Sequence, residues 1–299
     1  MFKNILFVIG LFALLCSCSN QGSKKDALNK EGDLLSDEIT ADGQILNIDN
    51  SLFSIPSPHQ ISKILIEEGI DFDNQILNQA SNVRQYNNSY KKALNMGVYG
   101  ADLGYVNMYD RTQDAITYFS VIKGLSQELD LINALKKETF ERIEKNISDQ
   151  DSLITLLTSS YQEIDIFLKT NNQEHIGALI LTGGWIESMY ILSKFVSRHP
   201  DNQELVKRLC ENKNALSNLI KILSHFTDRN KIYETLIDQF IELEMVFQQI
   251  EIDYAFERTE TYIDQKITKV FSETNISIPD DVLKELSDTI ESIRTFVIS

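Results

Sequence analysis

Helix breakers are scarce in this chain. Its four prolines stand at 56, 58, 200 and 279, so residues 59–199 hold none, and the last of its twelve glycines is Gly184, so residues 185–299 hold none. Such spacing excludes a fold of many short strands joined by tight turns and predicts long helices. Cysteine is equally sparse, with three residues at 16, 18 and 210, which excludes a disulfide scaffold. Basic residues are outnumbered, 28 Lys+Arg against 44 Asp+Glu for a formal charge of −16. No Lys/Arg stripe with interleaved aromatics reverses that field, so nucleic acid is excluded as a partner. The four histidines, His59, His175, His199 and His225, are scattered. They form no HExxH or Cys/His cluster, and no Walker loop, G-x-S-x-G or G-x-G-x-x-G occurs, so no metal or cofactor is expected. With 42% hydrophobic and 24% charged residues, the chain has the apolar material for a sizeable core.

What is present begins at the N-terminus. Lys3 precedes an apolar run, Ile5 to Leu15, too short for a permanent membrane span but suited to an export signal. It ends in Leu15-Cys16-Ser17-Cys18, which resembles a bacterial lipobox with a small residue before the modified cysteine. Cys16 fits less well because Leu15 would precede it, so Cys18 is the expected lipidation site. The resemblance implies cleavage after Ser17, a diacylglyceryl group on the Cys18 sulfur and an acylated (palmitate-type) amino terminus. Several acyl chains make a stable anchor where one does not. Ser19, rather than Asp, by analogy with lipoprotein sorting favours the outer membrane, with the periplasmic or exterior face left open. Removing residues 1–17 takes away Lys3 and no acid, moving the formal charge from −16 to −17. Cys210 is then the one thiol left, and its place in a helical pattern makes it a core residue rather than a nucleophile. Residues 18–50 read as a flexible polar tether, and residues 51–299 as a single all-α domain, an array or bundle of eight to nine helices.

Periodicity supports the helices. Leu205, Leu209, Leu216, Leu219, Leu223 and Phe226 fall on the i+3/i+4 lattice, as do Tyr233, Leu236, Phe240, Leu243, Phe247, Ile250 and Tyr254, and each set predicts an amphipathic helix. Leu153, Leu157, Tyr161, Ile164 and Leu168 predict another, and Ile116, Phe119, Ile122, Leu125 and Leu129 one more. Breaks are expected at Asn171-Asn172, His199-Pro200-Asp201, near Asp228 and at Ser277-Ile278-Pro279-Asp280. No alternating run is long enough to predict a sheet, and no 34-residue repeat is found.

Two segments are nearly free of charge. Between Ala93 and Tyr109 the one charged residue is Asp102, and between Ile176 and Ser193 it is Glu187. Gly97, Gly100 and Gly104 mark the first, Gly177, Gly183 and Gly184 the second. A helix apolar on nearly every face belongs at the centre of an array, and its glycines let a neighbouring backbone come close. The second segment has the length of a membrane span, but a central Glu and paired glycines argue for a core helix. A carboxylate in such a place needs a partner. Helical spacing puts Tyr99, Tyr105 and Tyr109 on the face of Asp102 and Tyr190 on that of Glu187, and Arg84 and Arg111 are the nearest guanidinium groups in sequence. Three readings follow. The acids are structural polar residues fixing helix register; or they line a pocket with Trp185 and the tyrosines for a cationic or sugar-like ligand; or they are a carboxylate pair for acid/base hydrolysis.

The stretches Ile55-Pro56-Ser57-Pro58-His59-Gln60, Gly97-Val98-Tyr99-Gly100-Ala101-Asp102-Leu103-Gly104-Tyr105 and Gly183-Gly184-Trp185-Ile186-Glu187-Ser188-Met189-Tyr190 resemble recurring segments of a family of uncharacterised helical bacterial lipoproteins. The likeness covers most of 50–299. It implies an anchored all-α protein and transfers no activity, ligand or catalytic residue. The resulting expectation is a non-enzymatic envelope lipoprotein whose helical module binds another protein or a small ligand, the alternative being an envelope hydrolase built on Asp102 and Glu187.

Overall fold

A computed structural model describes residues 44–48, 51–55, 58–135, 137–262 and 267–299. The expected signal peptide, Cys18 and most of the tether lie outside the described residues. The described chain is all-α in class, with ten helices: α1 (Pro58–Glu67), α2 (Ser89–Met108), α3 (Thr112–Glu128), α4 (Lys137–Lys145), α5 (Gln150–Thr170), α6 (Glu174–Arg198), α7 (Gln203–Cys210), α8 (Lys213–Ser224), α9 (Lys231–Phe247) and α10 (Asp280–Ile298). The count exceeds the expected eight to nine because one apolar lattice, Leu205 to Leu223, is carried by two helices, α7 and α8, broken at Glu211 and Asn212.

The helix joints fall where expected, and short polar residues do the work that glycine would otherwise do. Asn172 between α5 and α6, Asp110 between α2 and α3, and Asp130 after α3 all take left-handed backbone angles, which Asn and Asp tolerate better than other non-glycine residues. After the His199-Pro200-Asp201 break it is Asn202 that caps α7, its side chain accepting from the Leu205 amide. Pro279 stands at the cap of α10 without a side-chain bond, followed by Asp280 and Asp281 in the first turn, where acids suit the helix dipole.

Two antiparallel strand pairs correct the expectation of no sheet. β1 (Gln44–Ile48) pairs with β2 (Ser51–Ile55), and β3 (Glu251–Tyr262) pairs with β4 (Ile267–Ser277), with a register shift between Phe256 and Arg258. The first pair begins inside the expected tether and its second strand packs on α8; the polar average of 18–50 masked Ile45, Leu46 and Ile48. The second pair ends a lattice that the sequence appeared to continue. α9 stops at Phe247, Ile250 is buried beyond its end, and Tyr254 belongs to β3. The step from 250 to 254 fits both a helical turn and two strand repeats. One further expected core position, Ile116 on α3, is 45% exposed.

α2 and α6 form the centre, with the most extensive helix packing among the described residues, and α1, α3, α5 and α10 pack around them. The glycines explain the approach. A Cβ on Gly97 would lie 1.9 Å from the Ile180 carbonyl oxygen, and one on Gly183 would lie 1.8 Å from that of Leu94. The two helices therefore touch backbone to backbone, which no side chain at those positions permits. α6 is the one described helix long and apolar enough to cross a membrane, and 83% of its apolar window is buried inside the domain. Its hydrophobicity serves the core.

Gly97→Ala and Gly183→Ala should each lose about 3 kcal/mol or more, because α2 and α6 must separate to admit the methyl group. Gly124→Ala, at a helical position where a Cβ meets nothing within 4 Å, should gain about 0.5–1 kcal/mol. Chemical denaturation of the three variants checks the contrast; equal effects would contradict the backbone contact.

Candidate functional site

Both singled-out acids come from the central pair of helices, Asp102 from α2 and Glu187 from α6, and both are 0% exposed. The partner of Glu187 is Arg294 of α10. Its Nε donates to Oε2 at 2.9 Å and its Nη2 to Oε1 at 3.0 Å, the two-pronged geometry in which a guanidinium holds a carboxylate best. Nη2 also approaches the Ile76 carbonyl oxygen at 3.4 Å. The guanidinium carbon sits 4.4 Å from the centroid of the Tyr190 ring, a cation–π contact strengthened by desolvation. Burial alone would weaken the charge on Arg294, but Glu187 outweighs it, with Asp102 and Tyr190 adding to the same effect, and the group stays protonated.

Asp102 is different. Neither of its oxygens has a hydrogen-bond donor among the described residues. The Asn78 backbone N–H is near enough to favour the ionised form but makes no hydrogen bond to either oxygen. Burial first, and then the negative charge of Glu187, push its pKa well above the ordinary carboxylate value, against the opposing pull of Arg294. A protonated Asp102 resolves the geometry: it becomes a donor, and Glu187 is the acceptor beside it. In that protonation state the two carboxyl groups and the one guanidinium are neutral overall.

The tyrosines have another task. Tyr99 donates to the Gln79 carbonyl at 3.0 Å and Tyr109 to that of Ile70 at 2.8 Å, while the Tyr105 hydroxyl accepts from the Asp73 amide at 2.9 Å. All three fasten the segment 70–79, with its short 3₁₀ turn Asn74–Ile76, across α2. None is a donor to Asp102, which corrects the expected phenol partners. Burial is the main cause of the raised pKa values of Tyr99 and Tyr118, and an ionised Asp102 adds to it. The 70–79 segment also brings Asn78, whose amide donates to the Tyr86 hydroxyl at 3.0 Å. Asn95, at 0% exposure on α2, donates to the Val297 carbonyl of α10 at 2.9 Å. A buried polar seam therefore runs from 70–86 through α2 to α10.

The guanidinium candidates are corrected as well. Arg84 is exposed on the 3₁₀ turn Ala80–Gln85, and Arg111 pairs with Asp114 at 3.1 Å and lies over Phe72. Sequence proximity misled, because the acids are met from across the chain. A signal for Arg294 was nevertheless present: it lies on the apolar stripe of its own helix, four residues after Ile290 and three before Val297, where a charge must find a buried partner. Trp185 stands two residues before Glu187, on the other side of α6. Its Nε1 donates to Asn212 at 3.3 Å and its ring meets the edge of Phe240, so it joins the core facing α7–α9 rather than the acids.

Cys210 is 0% exposed and burial pushes its thiol up to about 12, the condition of an inert core thiol. Among the described residues no group of three or more His, Cys, Asp or Glu is placed to hold a metal ion. A surface groove of about 410 Å³ is lined by Glu242, Asp281, Lys284, Glu285 and Asp288 among others, none of which surrounds Asp102. Comparison with protein-family models, with curated proteins and with solved structures finds no match.

The proton on Asp102 has a measurable consequence. The folded chain binds it more tightly than the unfolded chain, whose ordinary value is 3.8; the stabilisation is fully present below that pH and declines as pH rises toward the raised folded value. Asp102→Asn, which keeps a donor toward Glu187 and cannot ionise, should gain about 1–3 kcal/mol at pH 7 and flatten that decline. Glu187→Gln, which strands a buried guanidinium, should lose about 3–5 kcal/mol. Denaturation of both variants between pH 4 and 9 tests this; an Asp102→Asn variant less stable than wild type at pH 7 would contradict it.

Proposed function

We propose that the protein is a membrane-anchored lipoprotein of the cell envelope, lipidated at Cys18, whose helical domain is a non-enzymatic module binding an envelope protein or a small ligand. The observation that carries the non-enzymatic half is the complete burial of Asp102 and Glu187, with Glu187 engaged by Arg294 through both oxygens. Glycoside hydrolysis by two carboxyl groups needs both to reach opposite faces of a scissile bond. Here one is occupied and the other is sealed between α2, α6 and the 70–79 segment, which favours the structural reading over the hydrolase. The lipoprotein half is supported by Leu15-Cys16-Ser17-Cys18 behind a short apolar run, and by the resemblance of three segments to helical bacterial lipoproteins. The apolar helix α6 is used inside the domain, so anchoring falls to the lipid. A mature charge of −17 favours a partner with a basic contact surface, and the outer membrane is the proposed location.

Two measurements test the halves separately. Cys18→Ala, expressed in full length, should lose incorporated palmitate and move from the membrane to the soluble fraction; continued membrane association would overturn the anchor. Against a panel of envelope glycans and esters, wild type and Glu187→Gln should both match the buffer rate. Turnover by wild type above the buffer rate would overturn the non-enzymatic reading, and its loss in the folded Asp102→Asn variant would trace it to the buried acids.

A further inference from the structure

The polar site at the centre of the domain has an imbalance that its packing does not remove. Two acids face one base in a place water does not reach, and neither oxygen of Asp102 has a donor among the described residues. The elements around it are joined in two different ways. α2 and α6 meet through backbone, locked at Gly97 and Gly183. α10, which packs against α6, α9 and α2, is held through side chains: a buried apolar stripe of Val282, Leu286, Ile290, Ile293 and Val297, the Asn95 bond to the Val297 carbonyl, the Lys194–Glu291 pair at 2.7 Å and the Arg294 fork. The base is thus supplied by a helix held through side chains, and both acids by the two helices locked backbone to backbone.

We propose that Asp102, Glu187 and Arg294 form a proton-operated clasp, in which loss of the shared proton loosens α10 from the α2–α6 pair while that pair stays together. With the proton in place, Asp102 donates to Glu187, and Glu187 accepts from Arg294 through both oxygens; the set is neutral. Without it, a second carboxylate faces Glu187 with no donor, and one guanidinium cannot neutralise both. The charges that bear on Asp102 oppose one another, and the negative one is the larger. From α6 comes Glu187, which is negative; Tyr99 on its own helix and Tyr118 on α3 are neutral phenols with raised pKa values; Tyr86 from the 3₁₀ turn and Tyr190 from α6 feel Glu187 and Arg294 and are also held neutral, burial being the main cause. Arg294 is the one positive group among them. Relief comes from admitting water, and the side-chain contacts of α10 part more readily than a backbone contact between glycines. Opening would uncover the apolar stripe of α10 and the faces of α2 and α6 beneath it.

Amide hydrogen exchange of the protein across pH 5–9, corrected for intrinsic rates, tests the clasp. The opening constant of the Ile290–Val297 amides should rise by up to about tenfold per pH unit, the slope of one proton released on opening, while amides of Leu94–Val98 and Ile180–Gly184 keep their protection. Asp102→Asn should abolish that slope. An Asp102→Asn variant with the wild-type slope would overturn the clasp, and so would loss of protection in α2 and α6 together with α10. Carboxyl ¹³C titration of the wild-type protein gives a readout that needs no variant. A protonated Asp102 signal at pH 6 is expected, and an ionised one would overturn the proposal.

Discussion

The ion pair between Glu187 and Arg294 is the constraint on which the rest of the domain depends. Two charges removed from water are worth less than their attraction suggests, because desolvation consumes much of it, yet removing one partner is far more damaging than never having had the pair. The pair therefore acts as a specification more than as a source of stability. Its fork geometry fixes the rotation of α10 against α6. The third contact, to the Ile76 carbonyl, fixes the 70–79 segment against both. A slip of α10 by one turn would leave a guanidinium among apolar side chains and a carboxylate without a base.

The burial that makes the pair so consequential is produced by glycine. Because Gly97 and Gly183 let the backbones of α2 and α6 touch, no gap remains between the helices for solvent to reach Asp102 or Glu187. The three tyrosines of α2 complete the enclosure by hydrogen-bonding the backbone of the 70–79 segment and holding it across the helix. Close packing and desolvation are one fact seen from two sides: what strengthens the centre also raises the demand that its acids be neutralised.

The central helices, their glycines and the burial of both acids were legible in the sequence because absence of charge over a long stretch is a one-dimensional signal. Ala93 to Tyr109 and Ile176 to Ser193 announce themselves without knowledge of any neighbour. The partner of Glu187 was not legible in that way. Arg294 is 107 residues distant, and only its place on an apolar stripe marks it. The strands of β3 and β4 were hidden for a different reason: Ile250 and Tyr254 extend a helical lattice whose end at Phe247 carries no proline or glycine. Where both repeats fit four residues, tertiary context decides. Tyr99, Tyr105 and Tyr109 lay on the expected face, but their hydroxyls serve backbone groups of a segment whose course periodicity cannot reveal.

The surface and the interior respond to pH in the same direction but for separable reasons. A chain with 44 acids against 28 bases repels itself increasingly as its exposed carboxyl groups ionise, and that self-repulsion weakens the compact state. Most of the acids among the described residues are exposed, within reach of counterions whose screening length is about 8 Å at physiological ionic strength. Added salt therefore removes the surface contribution. The buried set of Asp102, Glu187 and Arg294 is enclosed at 0–8% exposure, beyond the reach of that screening, and its response belongs to proton binding alone. A decline in stability that persists at high salt comes from the interior, and one that salt abolishes comes from the surface. The distinction follows from where the charges sit: the same residue type is a screened, solvated group on a helix face and an unscreened, proton-demanding one between two glycine-bearing helices.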